Sequence, residues 1–120
     1  MTDRGLVHDI TALRKLIAEN PDLPIVVLAS DTANTGDFGW MYCENVSFKI
    51  GEVLDCDLPF DSEYVFTDRD EFEEALADYL CDVPEAENLL GAEFDKFVDD
   101  ELAEYEPYWK KVIEICASNG

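Results

Sequence analysis

The spacing of apolar residues near the N-terminus changes from the period of a helix to that of a strand. The first stripe indicates an amphipathic helix ending near Asn20 and Pro21, and it comprises Leu6, Ile10, Leu13, Leu16 and Ile17. The run LPIVVLAS, residues 23–30, is short and almost wholly apolar, which predicts a mostly buried strand. The segment DTANTGDFG, residues 31–39, is rich in loop-forming residues. We therefore expect a helix, a strand and a loop, in that order.

A period of two begins at Trp40 and predicts two strands. Their inward positions are Trp40, Tyr42, Val46, Phe48 and Ile50. A turn near Glu44 and Asn45 would join them, although this pair lacks the glycine of the strongest hairpin turns. Residues 55–62 predict a polar loop, and SEYVFT, residues 62–67, predicts a further short strand.

Two helices and a final strand complete the predicted elements. Thr67 is expected to cap the second helix, whose buried stripe comprises Phe72, Leu76, Tyr79 and Leu80. Pro84 suits the first turn of a third helix, whose apolar face carries Leu90, Phe94, Phe97, Val98 and Tyr105. Glu101 falls inside that apolar arc, which predicts a kink or a partly buried carboxylate. Residues 108–117 predict the last strand.

The order of these elements indicates the fold class. Helices and strands follow one another as α-β-β-β-β-α-α-β, without the regular alternation of a parallel α/β fold. We expect an α+β domain, an antiparallel or mixed sheet of about four to five strands with three helices packed on it. No linker divides the 120 residues, so a single domain over 1–120 is expected.

Charge is distributed very unevenly along the chain. The net charge is −21, from 29 acidic and 8 basic residues. Residues 55–106 hold twenty of the acids and only two bases, Arg69 and Lys96, which makes this segment −18. A hydrophobic content of 48% excludes the composition of a disordered chain, so the charge must cover a folded core. Such a surface repels nucleic acids and anionic membranes and attracts basic protein surfaces.

The residues that carry most catalytic and metal chemistry are sparse. The four cysteines, Cys43, Cys56, Cys81 and Cys116, show no C-x-x-C spacing, and His8 is the single histidine. The acidic loops lack the ligand spacing or the glycine of a calcium loop, and no glycine-rich phosphate loop is present. We therefore expect neither an enzyme nor a cofactor nor a metal site. The cysteines are expected to be reduced, buried residues of the core.

The acidic faces of the second and third helices are the strongest candidate site. Each like-charge neighbour at i, i+4 costs about 0.2–0.5 kcal/mol, where an opposite charge would stabilise by a similar amount. We predict that these faces bind a partner through Asp70, Glu71, Glu74, Asp78, Glu93, Asp95, Asp99, Asp100 and Glu104.

Four segments resemble those of a family of small, acidic, functionally uncharacterised proteins of gut Gram-positive bacteria and their mobile elements. They are NPDLPIV, the tryptophan of FGWMYCENVSFKI, SEYVFTDRDEFEEAL and PYWKKVIEI. The resemblance covers most of the chain by layout, and its motifs are structural, so it implies no catalytic residue. It implies a mobile-element setting, in which small acidic proteins that mimic nucleic acids often block restriction or CRISPR effectors.

The leading hypothesis is a non-enzymatic, DNA-mimicking inhibitor that binds the basic surface of a nucleic-acid-binding protein. The alternative is an interaction module that binds through Trp40, Tyr42 and Trp109, with the acidity serving only solubility or adaptation to high salt. The start MTDRGLVHDI has no signal-peptide pattern and no apolar run could span a membrane, so a cytoplasmic protein is expected. The sequence leaves the oligomeric state open.

Overall fold

Three helices and three strands form the regular structure of the residues that the computed structural model describes, which are 4–30, 42–60 and 65–119. In chain order they are α1 (Thr11–Glu19), β1 (Ile25–Ala29), β2 (Asn45–Leu54), α2 (Arg69–Leu80), α3 (Ala92–Tyr105) and β3 (Trp109–Ser118). Short 3₁₀ turns at Pro84–Ala86 and Glu106–Tyr108 precede α3 and β3. The predicted α+β class is confirmed.

The sheet is mixed, in the order β1-β3-β2. β1 and β3 are parallel, with Ile25 opposite Ile113 and Ala29 opposite Ala117. β2 runs antiparallel to β3, because the Asp55 amide donates to the Tyr108 carbonyl at one end and the Glu44 amide donates to the Asn119 side chain at the other. The expected four to five strands are therefore not matched, since the described residues form three.

Two of the predicted strands differ from the structure. The second of the two strands expected from Trp40 onward is present as β2, which begins at Asn45 and continues to Leu54. Of the first of those strands, Tyr42 and Cys43 are not in a strand, and the alternation of exposed and half-buried residues in β2 extends only from Asn45 to Ile50. In the predicted strand 62–67, Val65 and Phe66 are not in a strand, although the Phe66 carbonyl accepts from the Leu54 amide at 3.0 Å. Trp40 and residues 62–64 lie outside the described residues.

The N-terminal elements are shorter and more exposed than predicted. α1 begins at Thr11, whose amide and hydroxyl both donate to the Asp9 carboxylate, so Leu6 and Ile10 precede the helix. These two hydrogen bonds also lower the pKa of Asp9. The prediction that 23–30 is mostly buried is wrong, because Ile25 is 48% and Val27 67% exposed. Among the strands that the structure describes, β1 pairs with β3 alone, so it lies at the edge of this three-stranded arrangement.

Contacts divide the chain into two compact units. The terminal unit comprises Met1–Gly51 and Lys111–Gly120, and the acidic unit comprises Glu52–Lys110. β2 and β3 each contribute residues to both. The expectation of a single domain stays a prediction.

A buried carboxylate lies in the terminal unit. Glu114 of β3 is only 3% exposed, between the buried Ile113 and the half-buried Ile115, and its carboxylate is 3.7 Å from the ammonium of Lys49. Its side chain lies directly over Gly51, where an added Cβ would be 2.6 Å from the carboxyl carbon. Gly51 is therefore the residue that leaves room for Glu114.

The acidic unit has its own hydrophobic core. Phe72, Leu76 and Leu80 of α2 recur every fourth residue and are 1–3% exposed, and Leu54 and Val98 complete the buried cluster. Aromatic rings surround Phe72, with centroids at 5.1 Å for Tyr105, 5.3 Å for Phe66 and 6.1 Å for Trp109. Each fully buried side chain of this size contributes about 1.5–3 kcal/mol to folding, which stabilises the unit against the repulsion on its surface.

Candidate functional site

The acidic face of α2 follows from the start of the helix and from its buried stripe. The Asp68 carboxylate accepts from the Asp70 amide at 2.8 Å and from the Glu71 amide at 3.2 Å, so Asp68 caps the helix and the prediction of Thr67 is wrong. Asp68 is an effective cap because its carboxylate accepts from the free amides of the first turn and is stabilised by the positive end of the helix dipole. With Phe72, Leu76 and Leu80 directed inward, the five carboxylates of α2 are left exposed to solvent.

The acidic face of α3 is arranged in the same way. Val98 is buried, and Phe94, Phe97, Leu102 and Tyr105 are half-buried against the core. Five of the six carboxylates on this helix are exposed, and Glu101 is half-buried, as the sequence predicts. Burial, together with the nearby Cys56, Glu101 and Glu104, raises the pKa of the Tyr105 phenol. Both helices therefore present carboxylates on the side away from the core.

A groove between α2 and α3 brings carboxylates of both helices together. Its volume is about 500 Å³. The floor is apolar and consists of Ala77, Phe94 and Val98. The α2 rim carries Glu73 and Glu74, and the α3 rim carries Asp95 and Asp99. We call this feature the α2–α3 groove.

All three basic residues of the acidic unit are already paired with carboxylates. Arg69 donates to Glu52 at 2.7 Å and to both carboxylate oxygens of Glu106 at 2.7 and 2.8 Å. Lys96 lies 3.3 Å from Asp100, and Lys110 lies 2.6 Å from Asp55. The Arg69 hydrogen bond lowers the pKa of Glu52, and the two carboxylates raise the pKa of Arg69.

Apart from Asp100, the carboxylates of α2 and α3 have no ion-pair partner among the described residues. The acidic unit contains 21 acidic and 3 basic residues, hence a formal charge of −18 out of the −21 of the chain. No carboxylate of α2 forms an ion pair with any residue in the described ranges 4–30, 42–60 and 65–119. The charge segregation seen along the sequence is therefore also a segregation in space.

The structure brings together only part of the predicted site. All nine predicted residues are exposed, and three of them, Glu74, Asp95 and Asp99, line the groove. The others lie on the same two helices outside the groove lining: Asp70, Glu71, Asp78, Glu93, Asp100 and Glu104. Glu73 was missed, although it lies one turn before Ala77. Its helical position places it beside the buried stripe, but only the location of α3 makes that side a groove.

Two further depressions are lined by fewer charged side chains than the α2–α3 groove. In the terminal unit, a cavity of about 610 Å³ at the carboxyl ends of β1 and β3 is lined by His8, Leu28, Cys116 and their neighbours. The His8 ring stacks on Tyr42 at 5.5 Å, and its Nε2 is 2.9 Å from the carbonyl oxygen of Cys43, not from the thiol. In the acidic unit, a depression of about 660 Å³ beside Cys56 and Tyr105 is open to solvent. Burial and then the charges of its two aspartate neighbours raise the pKa of the Cys56 thiol.

The predicted aromatic anchors divide between packing and surface. Trp109 is half-buried against Phe72, and the Arg69 guanidinium lies 4.9 Å from its ring centre, so its face is already covered. Tyr42 is 38% exposed, and its hydroxyl donates to the Gly5 carbonyl. Trp40 lies outside the described residues. Trp109 therefore serves the core of the acidic unit and is not a free anchor.

Comparisons with known proteins add no relative. No protein-family model matches the chain, and no curated protein or solved structure matches it either. Over the described part of the chain, no helix has the length and apolarity needed to cross a membrane, and no group of three or more His, Cys, Asp or Glu side chains is arranged to hold a metal ion. The resemblance to small acidic proteins of mobile elements stays a prediction.

Proposed function

We propose that this protein is a non-enzymatic interaction protein that presents the carboxylates of α2 and α3 to a basic protein surface. The observation that supports this most directly is the charge of −18 on the acidic unit, all of whose basic residues are already paired. A net charge of about 2–8 is enough to keep a small domain soluble, so the excess has another physical consequence, a strong field that attracts cations.

The partner of the proposal is a nucleic-acid-binding protein, and the acidic faces would occupy its phosphate-binding groove. Duplex DNA presents rows of closely spaced negative charges, and neighbouring carboxylates on a helix face are about 5–6 Å apart. A partner surface lined by lysine and arginine would therefore bind either the phosphates of DNA or the carboxylates of these helices. Inhibition of a CRISPR or restriction effector in the cytoplasm follows as the specific form of this proposal, in line with the mobile-element resemblance.

Capture from a lysate of a gut Gram-positive bacterium, with and without added duplex DNA, tests the proposal. We expect the captured proteins to be nucleic-acid binders, and we expect DNA to displace them. Affinity should fall steeply with salt, because the interaction replaces counterions on both surfaces. Capture of proteins without nucleic-acid-binding activity, or capture that DNA leaves unchanged, would refute it.

A pair of charge-matched variants locates the surface. Asp70→Asn, Glu74→Gln and Asp78→Asn together remove three charges from α2. Glu19→Gln, Asp22→Asn and Glu44→Gln remove three exposed charges from the terminal unit. We expect the first set to abolish capture and the second to leave most of it. Equal losses in both sets would mean that only net charge matters and that α2 is not the binding surface.

A further inference from the structure

The α2–α3 groove differs from the rest of the acidic surface because its floor is apolar. Ala77 and Phe94 are half-buried and Val98 is 6% exposed, so a contact there would remove apolar surface from water. A surface that only imitated the phosphates of DNA would need charge alone. The floor adds a second requirement, because its occupant must bring an apolar group between cationic ones.

The apolar floor of the groove is short and matches the size of one large apolar side chain. Phe94 and Val98 mark one turn of α3, about 6 Å along the helix axis. Carboxylates stand on both sides of this floor, Glu73 and Glu74 on α2 and Asp95 and Asp99 on α3. Lysine and arginine can lay their aliphatic stems on apolar surface while their charged ends reach such rims.

We propose that the α2–α3 groove is the docking site for a cationic amphipathic helix of the partner, which inserts one apolar side chain flanked by lysines or arginines one turn away on either side. Charge complementarity selects this occupant, because the rims are acidic and the basic residues of the unit are already paired. Helix-in-groove recognition places anchors at this spacing. The inference rests on the proposed function and names the kind of partner segment that the acidic unit binds.

Two synthetic helical peptides test the groove. Both carry lysine and arginine around a central position, which is leucine in one peptide and serine in the other. Their affinities for the full-length protein are measured by fluorescence anisotropy at about 0.15 M and about 1 M salt. We expect the leucine peptide to bind about tenfold more tightly or better, because its side chain is buried on the floor. That ratio should persist at high salt, where the affinities of both peptides are lower.

Variants separate the floor from the rims. Ala77→Leu adds volume to the floor without a change of charge, and it should remove the preference for leucine. Asp95→Asn with Asp99→Asn should lower the affinity for both peptides. The loss should be severalfold larger than in the charge-matched control, Glu85→Gln with Glu87→Gln, whose positions are exposed and outside the groove. Methyl NMR of the unmodified protein gives a second measurement that needs no variant to fold. The Ala77 and Val98 signals should shift on addition of the leucine peptide, and the signals of Val112, buried in the terminal unit, should not.

The outcomes distinguish this inference from the proposed function. If both peptides bind equally and the rim variant behaves like its control, the groove is not the docking site, while a charged surface that captures basic proteins stands. If neither peptide binds and no basic protein is captured, both are refuted. If the protein self-associates and Ala77→Leu abolishes that association, the groove belongs to a second copy of the chain and the inference is overturned.

Discussion

Replacement of Glu74 by glutamine should make the protein more stable while weakening its binding. Glu74 is the middle member of three carboxylates on α2, with Asp70 one turn before it and Asp78 one turn after it. Each like-charge i, i+4 contact costs about 0.2–0.5 kcal/mol, so one substitution relieves about 0.4–1 kcal/mol. Glutamate and glutamine have similar helix propensities, and the side chain at position 74 is exposed to solvent, so little else changes.

Thermal and urea unfolding in low salt measure the effect. For a protein of this size we expect the midpoint temperature to rise by about 2–5 °C. The gain should nearly vanish in about 1 M salt, where the screening length is about 3 Å. Lys96→Gln is the control of opposite sign, because it removes the attractive contact with Asp100 at 3.3 Å and should lower stability by about 0.2–0.5 kcal/mol.

Two results would refute this reasoning. If Glu74→Gln left stability unchanged or lowered it in low salt, the carboxylates of α2 would not repel one another as the structure implies. If the gain were the same in low and high salt, its origin would not be electrostatic.

Other predictions concern local packing and reactivity. Gly51→Ala should destabilise the protein by about 1–3 kcal/mol in urea unfolding, because its Cβ would collide with the Glu114 carboxylate. The double variant with Glu114→Ala should recover much of the lost stability, and no recovery would contradict the contact. Asp68→Ala should lower the free energy of unfolding by about 1 kcal/mol, because the α2 cap is lost. Asp68→Asn should retain most of the stability, because asparagine also caps helices. At pH 8, iodoacetamide should label the exposed Cys81 before Cys56, whose raised pKa leaves less thiolate, and the Cys56 rate should keep increasing as pH rises; equal rates would contradict this assignment.

Local patterns located α2, β1 and β3 correctly, whereas α1 and α3 begin later in the chain than predicted. Phe72, Leu76 and Leu80 repeat within three turns of one helix, so α2 and its acidic face could be recognised without knowledge of the fold. The strand at 23–30 was found in the right place, but its burial was wrong. Burial in a sheet depends on neighbouring strands and on what covers each face, and neither is contained in the strand's own residues.

The candidate site divides in the same way. The exposure of the nine predicted carboxylates follows from helix periodicity, since a residue opposite a buried stripe faces solvent. The groove required the packing of α2 against α3, which decided that Glu73 lies beside Asp95 and Asp99 and that Phe94 forms part of a floor. The pairing of Arg69 with Glu52 and Glu106 likewise joins residues far apart in the chain.

The sequence by itself determined the α+β class, the position of α2 and the concentration of negative charge between Glu52 and Lys110. These follow from residues close together in the chain, where periodicity and charge act locally. Only the tertiary structure decided that β3 lies between β1 and β2, with Ile113 opposite Ile25, and that two acidic helices enclose an apolar groove. Such pairings are selected by the joint burial of segments distant in sequence, so no single segment encodes them.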